Sequence, residues 1–359
     1  MKFTKSSSVL LNLIRGGSAQ LVLLGHLFSF YNVFHYSTNE GHFLIQNFGV
    51  VIFFILSGCL IAYSVDNKNE QKSYKYFDFI IDRFSRIFIS YFPALIFILI
   101  IDYLSFKITG IADFKKASRI STFVGNGLML QDFPIQVFIN KIVKTNIEIT
   151  SLGSGRPLWT VAIEWWLYLF FGFMFFLKIT YRNFPFFLLL TIVPLINMAG
   201  RGNGLTVVWF AGVLIYYLLK NQPSGKHSVA MAIVFGVAAF ARLFFNGGNV
   251  YDVAFSLPLA FSLFSILCWL QNGSALKILL SERVQKTAET IAAYSFSLYL
   301  IHYSVIVFFF NLKLMLNPWL QIGIIFCLTN IIALVFARLT EFRYREFRLF
   351  LNKKMQRIR

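Results

Sequence analysis

Long and nearly uncharged apolar runs recur along this sequence, and they constrain its fold more than any other feature. A helix needs about 20 apolar residues to cross the hydrocarbon core of a bilayer, and repeated runs of that kind are typical of transmembrane segments. Ten runs meet or approach this length, at residues 18–34, 44–64, 87–105, 158–178, 184–200, 204–220, 228–245, 251–270, 290–311 and 318–339. The sequence therefore predicts an all-α polytopic membrane protein with about ten transmembrane helices.

The composition agrees with this prediction. Of the 359 residues, 57% are hydrophobic and only 13% are charged, and the mean hydropathy is +0.67. One further run, at residues 118–131, contains Gly125 and Gly127 and is too short to cross comfortably. We expect it to form a short re-entrant or interfacial helix.

The distribution of basic residues predicts the orientation. In a membrane protein the location of each Lys and Arg matters more than the net charge, which is +18 here. With the N-terminus inside, 23 of the 33 Lys and Arg residues fall in inner segments and 10 in outer segments. We therefore predict that both termini are cytoplasmic. The basic C-terminal tail then faces anionic lipid headgroups, and no nucleic-acid partner is needed to explain the charge.

The three cysteines, Cys59, Cys268 and Cys327, all lie in apolar runs. They show no spacing typical of a redox pair or a metal site, so we interpret them as small buried hydrophobic residues. The sequence accordingly predicts no metal site.

Ionisable side chains inside the membrane cost about 2.5 to 3.5 kcal/mol each on insertion scales, so each one suggests a function. The candidates are Arg15, His26, Arg83, Arg86, Asp102, Glu164 and His302. Arg15 and His26 are eleven positions apart, which in a helix is about 16 Å along the axis and close to three turns, so both point to roughly the same side. The alternative is that Arg15 anchors the inner end and His26 is a packed histidine with a backbone partner.

Glu164 is the single carboxylate in the apolar stretch RPLWTVAIEWWLYLFFGFMFFL, residues 156–177. It lies at a depth similar to that of His26, and a carboxylate can orient an imidazole and stabilise its charged form. We expect Glu164 to pair with His26, and His302 is the competing partner. The alternative for Glu164 is a structural hydrogen bond to a neighbouring helix.

Two further segments suggest a ligand-binding role. Arg83 and Arg86 lie one helical turn apart, and two guanidinium groups in this arrangement suit a phosphate; the alternative is ordinary anchoring on the inner side. Ser57 and Gly58 are small residues in the bulky stretch 48–60, where they either permit close helix packing or leave space for a ligand.

Taken in order, five segments resemble the membrane-bound acyltransferase 3 family, which includes bacterial O-antigen and other polysaccharide O-acetyltransferases. The resemblance covers nearly the whole chain. The segments are Arg15 and His26 with ten residues between them, FGVVIFFILSG, RFSR, PLWTVAIEWWLY and SLYLIHYSVI. The chain departs from the family pattern at Glu341, which lacks a following proline, at Ser304, where proline is frequent, and at the bulky pair Trp165 and Trp166.

The resemblance implies an enzyme of the bacterial inner membrane, with a transmembrane acyltransferase domain at 1–340 and a basic cytoplasmic tail at 341–359. It implies transfer of an acyl group, usually acetyl, from cytoplasmic acetyl-CoA as co-substrate to a hydroxyl of a carbohydrate on the outer face. By the same resemblance, His26 is the essential base or acyl-handling residue and Arg15 supports it or the donor. Arg83 and Arg86 bind the CoA phosphates, and Ser57 is a further donor-site candidate.

The reaction also needs a donor to the oxyanion that forms when a hydroxyl attacks a thioester. The candidates are Trp159, Tyr168, Tyr299 and Ser57, and His302 joins the first three as a substrate-site candidate; the sequence does not choose among them. Direct transfer and transfer through His26 both remain open. The outer loop 106–157 is expected to shape the acceptor entrance.

Two other functions fit parts of the pattern. A secondary transporter or exporter of a glycolipid or anionic solute also has broken helices and charges at the membrane midplane, although no inverted repeat relates the halves of this sequence. An acyltransferase using succinyl-CoA would need an additional cation near the acyl pocket.

Overall fold

The computed structural model describes residues 2–33, 44–69, 74–110, 119–132, 149–199, 204–221, 227–246, 248–271 and 277–356. Within these residues all regular elements are helical. The helices are α1 Lys5–Phe30, α2 Ile45–Asn69, α3 Tyr76–Thr109, α4 Ile120–Gly127, α5 Leu158–Phe176, α6 Phe184–Ala199, α7 Gly204–Asn221, α8 Ser228–Phe245, α9 Val253–Gln271, α10 Glu282–Ala293, α11 Ser295–Asn311, α12 Pro318–Leu339 and α13 Tyr344–Gln356. Short 3-10 helices, Lys277–Leu280 and Glu341–Arg343, precede α10 and α13.

The chain divides into two compact units. Unit 1 comprises Met1–Ser73 and Arg201–Ser295, and unit 2 comprises Tyr74–Gly200 and Phe296–Arg359. Helices α1, α2 and α7–α10 therefore belong to unit 1. Helices α3–α6, α12, α13 and all of α11 after its first residue belong to unit 2.

Eight helices of the described residues are long and apolar enough to cross a membrane. They are Lys5–Phe30, Ile45–Lys68, Tyr76–Thr109, Leu158–Phe176, Gly204–Asn221, Ser228–Phe245, Val253–Gln271 and Pro318–Met355. The pair α10 and α11 would make a ninth if it forms one span. The run 184–200 forms the 16-residue helix α6, which is shorter than these spans. The all-helical membrane architecture is confirmed, whereas ten spans and cytoplasmic termini stay predictions.

Several helices extend beyond the apolar runs that predicted them. Helix α1 starts at Lys5, because the Thr4 side chain caps it by accepting a hydrogen bond from the Ser7 N–H at 3.2 Å. Helix α3 starts at Tyr76 and includes both Arg83 and Arg86. Backbone hydrogen bonding continues a helix into polar sequence until a cap ends it, so hydropathy alone underestimates the length.

The short run at 118–131 contains the eight-residue helix α4, far shorter than the roughly 20 residues needed for a crossing. Buried polar contacts hold this segment within unit 2: the Gln131 side-chain amide donates to the Tyr91 hydroxyl at 2.8 Å, and that hydroxyl donates to the Asn126 carbonyl at 3.1 Å. The Asn126 side chain also donates to the Thr150 carbonyl at 2.9 Å. The described part of the predicted outer loop is therefore ordered around a polar core.

Asp102, one of the ionisable residues predicted within the membrane, has a structural role in this segment. Its carboxylate accepts hydrogen bonds from both the backbone N–H, at 2.8 Å, and the hydroxyl of Ser154. Gly153 beside it has φ +52°, and a Cβ there would lie 2.0 Å from the carboxylate. Asp102 therefore fixes the turn that precedes α5.

In unit 1, small residues allow α2 and α7 to pack backbone to backbone. A Cβ added at Gly58 would lie 2.0 Å from the Trp209 carbonyl oxygen, and one added at Gly212 would lie 2.1 Å from the Ile55 carbonyl oxygen. At either position, any side chain larger than a hydrogen atom would overlap the carbonyl oxygen of the facing helix. Of the two interpretations of Ser57 and Gly58, the structure shows close packing at Gly58.

The cysteines are not all buried. Cys59 and Cys268 are buried as predicted, but Cys327 is exposed on α12. The prediction was wrong for Cys327 because an apolar residue of a membrane helix can face the lipid as readily as the protein core.

Candidate active site

In unit 1, Arg15 and His26 lie on the single uninterrupted helix α1. At 100° per residue, eleven positions bring the chain back to within about 20° of the same direction, so the two half-buried side chains share one helix face. Because α1 is continuous between Arg15 and His26, the two side chains lie on a common face, as the sequence predicted.

Neighbouring helices pack tightly against α1 near both residues. A Cβ at Gly16, next to Arg15, would lie 2.3 Å from the Ile291 side chain of α10. A Cβ at Gly25, next to His26, would lie 2.5 Å from both the backbone nitrogen and the side-chain oxygen of Gln46. These contacts leave α1 little freedom to rotate and so fix the direction of its basic face.

Ser57, the donor-site candidate of α2, contacts α7. Its hydroxyl oxygen accepts a hydrogen bond from the Trp209 indole N–H at 3.1 Å. The fully buried Trp209 thus holds Ser57 beside the close crossing at Gly58.

In unit 2, α5 and α11 bring the predicted polar residues together. Thr160, Glu164 and Tyr168 follow one another at intervals of four on α5, and the Tyr168 hydroxyl donates a hydrogen bond to the Glu164 carboxylate. From α11, the Tyr299 hydroxyl lies 2.6 Å from the Thr160 hydroxyl and within electrostatic range of Glu164. A hydroxyl- and carboxylate-lined cluster therefore joins these two helices.

Hydrogen-bond directions in this cluster follow from the number of protons. The Thr160 hydroxyl donates its one proton to the Pro157 carbonyl at 2.9 Å, so Tyr299 must donate to Thr160. Tyr168 likewise donates to Glu164. Two of the candidate oxyanion donors, Tyr168 and Tyr299, thus have their protons directed at protein acceptors in this arrangement.

His302 lies one turn beyond Tyr299 on α11 and is 1% exposed. Its Nδ1 is 2.8 Å from the Tyr299 carbonyl oxygen and 3.1 Å from the Leu298 carbonyl oxygen. A carbonyl oxygen only accepts, so Nδ1 carries a proton, and in the neutral ring the lone pair is on Nε2. His302 can therefore act as an acceptor through Nε2 only.

The tryptophans of α5 have different environments. Trp159 is half-buried in the first turn. The Trp166 indole donates to the Met129 carbonyl at 2.8 Å, and the Trp165 ring meets Phe88 edge-on at 5.0 Å. The two residues that depart from the family pattern thus pack α5 against α3 and against the segment that contains Met129.

The arginine pair of α3 lies near the helix start. The Arg83 guanidinium is 5.8 Å from the centre of the Phe79 ring, and that of Arg86 is 5.4 Å from the centre of the Tyr344 ring. Among the described residues, the Arg86 guanidinium makes no hydrogen bond or ion pair. Its guanidinium donors are thus available to an anionic ligand.

Asp82, which the sequence reasoning missed, lies directly before this pair. Its carboxylate is 5% exposed, accepts a hydrogen bond from the Tyr74 hydroxyl at 2.8 Å and forms an ion pair with Arg348 of α13. Burial, followed by the Asp82 charge, raises the pKa of Tyr74. The sequence signal is the carboxylate directly before the arginine pair in the letters DRFSR.

Glu341 has a role that its place in the sequence did not reveal. Its buried carboxylate accepts hydrogen bonds from the Ser297 N–H at 3.0 Å and the Ser297 hydroxyl at 2.9 Å. These contacts cap the N-terminal turn of α11, where a carboxylate is favoured by the unpaired N–H groups and the helix dipole. The charge thus stabilises the helix that bears Tyr299 and His302.

The predicted site residues fall into both units. Arg15, His26 and Ser57 belong to unit 1, and the other candidates, from Arg83 to His302, belong to unit 2. The pairing of His26 with Glu164 therefore joins residues of different units, and it stays a prediction. The alternative partner His302 belongs to the same unit as Glu164.

The chain was also compared with known proteins. The acyltransferase 3 family model, described as an acyltransferase domain, matches residues 9–338 and so includes all five of the segments noted in the sequence. No curated protein and no solved structure matches the chain significantly.

Proposed function

Because the chain belongs to the membrane-bound acyltransferase 3 family, we propose that it is an O-acetyltransferase of the bacterial inner membrane. It transfers an acetyl group from cytoplasmic acetyl-CoA to a hydroxyl of a lipid-linked or surface carbohydrate, such as O-antigen or capsule. The observation that carries the proposal is the basic face of α1, on which Arg15 and His26 point in the same direction inside the range matched by the family model.

His26 is the general base in this proposal. Its imidazole takes the proton of the acceptor hydroxyl while the oxygen attacks the thioester carbonyl carbon. The carbon–sulfur bond then breaks, and the imidazolium returns the proton to the departing thiolate, so the products are an ester and CoA thiol. Histidine suits both steps because its ordinary pKa lies near neutrality. Arg15 supports His26 or pairs with the negative charge of the donor.

Arg83 and Arg86 bind the phosphates of the donor. A guanidinium offers a planar fork of N–H donors that matches a phosphate, and Arg86 has these donors available among the described residues. The arginines lie near the start of α3, whose inner location is predicted by the basic-residue distribution. The site thus suits a donor that approaches from the cytoplasm.

The polar cluster of unit 2 supports the acceptor in this proposal. Glu164, held by Tyr168, is a strong acceptor for sugar hydroxyls, and it is also the carboxylate predicted to orient His26. His302 and Trp159 are the further candidates for contacts with the carbohydrate.

The test uses purified full-length protein in detergent. We would measure acetyl-CoA binding by calorimetry and slow release of CoA thiol for wild type, His26→Ala and Arg83→Gln/Arg86→Gln. We expect His26→Ala to lower turnover by at least about 100-fold with binding retained, and the double arginine variant to weaken binding by about 10-fold or more.

His227→Ala is the matched control, because His227 is an exposed histidine of the same unit at the start of α8. It should retain both binding and turnover. If wild type has no affinity for acetyl-CoA, the proposal fails and an exporter of a glycolipid or anionic solute becomes the better hypothesis. Tight binding of succinyl-CoA instead would change only the donor.

A further inference from the structure

Tyr344, the first residue of α13, gathers two arginines around its ring. The Arg86 guanidinium of α3 lies 5.4 Å from the ring centre, and the Arg345 guanidinium of α13 lies 5.9 Å from it. Arg345 also donates through Nε to the Tyr344 hydroxyl at 3.2 Å. Two cations from different helices are thus oriented by one aromatic side chain.

Neither cation has an anionic partner among the described residues. The Arg86 guanidinium makes no hydrogen bond or ion pair there, and the side-chain hydrogen bond of Arg345 goes to the Tyr344 hydroxyl. Asp82, a nearby carboxylate, is paired with Arg348. Both guanidinium carbons lie within 5.9 Å of one ring centre, so an anion bound beside this ring would be attracted by both cations.

Helix α13 is firmly packed and does not hang free as a tail. The ion pair of Arg348 with the buried Asp82 fixes it to α3, and the Phe347 ring packs against Phe84 with centroids 6.4 Å apart. Arg345 therefore belongs to a helix that is fixed against the part of α3 that bears Arg83 and Arg86.

We infer that α13 supplies the second half of the phosphate site of the acyl donor: Arg86 and Arg345 bind phosphate together, and Tyr344 positions them. This inference rests on the proposed function. Residues 344–356 lie beyond the range 9–338 that the family model matches, so the contribution of Arg345 is additional to the arginine pair noted in the sequence. The planar fork of N–H donors of a guanidinium matches the oxygens of a phosphate group.

The test compares a donor that has phosphates with one that lacks them. Full-length protein in phosphatidylcholine nanodiscs would be assayed with acetyl-CoA and with S-acetyl-pantetheine, which carries the same thioester without the nucleotide. For Arg345→Gln we expect the KM for acetyl-CoA to rise about 5- to 10-fold with little change in kcat, and the kinetics with S-acetyl-pantetheine to stay as in wild type.

Three further variants separate positioning from general structure. Arg343→Gln is the matched control, because Arg343 is an exposed arginine two residues away whose side chain makes no hydrogen bond or ion pair with the described residues. It should behave as wild type. Tyr344→Leu removes the ring and should reproduce the effect of Arg345→Gln, whereas Tyr344→Phe retains the ring and should recover most of the affinity.

The outcomes distinguish this inference from the proposed function. If Arg86→Gln raises the KM for acetyl-CoA and Arg345→Gln does not, the inference is overturned and the proposed function stands. An equal effect of Arg345→Gln on both donors would indicate a structural role and also overturn it. If the effect appears only in discs containing an anionic phospholipid, the phosphate belongs to a lipid headgroup and the donor-site inference is wrong. If wild type does not use acetyl-CoA, both fail together.

Discussion

At the scale of single residues, buried carboxylates have distinct roles that their hydropathic setting did not reveal. Asp102 fixes a turn through Ser154, Glu341 caps α11 through Ser297, and Glu164 is held by Tyr168 in the polar cluster. Of these three carboxylates, only Glu164 lies near both Tyr168 and Tyr299. A carboxylate in an apolar run therefore predicts that a polar partner lies nearby. Whether the carboxylate has a structural or a catalytic role depends on which partner that is.

Glu341→Gln should destabilise the protein by about 1 to 2 kcal/mol, because the charged acceptor at the start of α11 is lost while one neutral acceptor remains. Thermal unfolding of the detergent-solubilised protein, followed by intrinsic fluorescence, would show a lower midpoint. Glu346→Gln, an exposed charge of α13 without a described ion pair, is the control and should leave the midpoint unchanged. Equal midpoints for the two variants would contradict the capping role.

At the scale of helices, the close approach of α2 and α7 depends on glycine at both contact points. Carbonyl oxygens occupy the space where a Cβ would be, at 2.0 Å from Gly58 and 2.1 Å from Gly212. This contact also places Ser57 against Trp209. The same small residues that suggested space for a ligand are thus used to bring two backbones together.

Gly58→Ala should therefore destabilise unit 1 by about 2 kcal/mol or more, since a backbone carbonyl cannot move away as a flexible side chain could. Gly323→Ala is the matched control: it is also a glycine inside an apolar helix, but a Cβ there meets nothing within 4 Å. The control should be neutral or slightly stabilising, by up to about 1 kcal/mol. Comparable losses in denaturation midpoint for both variants would rule out the crossing as the cause.

At the scale of the whole molecule, the predicted orientation can be tested by chemical labelling. Lys353→Cys on α13 and Asn249→Cys between α8 and α9 lie in segments that the basic-residue distribution assigns to opposite sides of the membrane. In intact cells, with Cys327 replaced by Ser, a membrane-impermeant maleimide should label only the cysteine at 249. Labelling at 353 before the membrane is opened would show that the C-terminus lies outside.

The class of fold, the family and the residues of the basic face could all be derived from the amino-acid sequence. Each of these can be read from one helix at a time: the length of an apolar run, the position of an arginine, or the spacing of Arg15 from His26. Membrane thickness and helix geometry set these features without reference to other helices. Only the tertiary structure showed that Asp82 pairs with Arg348, that Tyr344 gathers Arg86 and Arg345, and that Tyr299 donates to Thr160. These contacts join helices distant in sequence, and the side-chain geometry that decides which polar groups meet is set by packing and leaves no periodic signal in the chain.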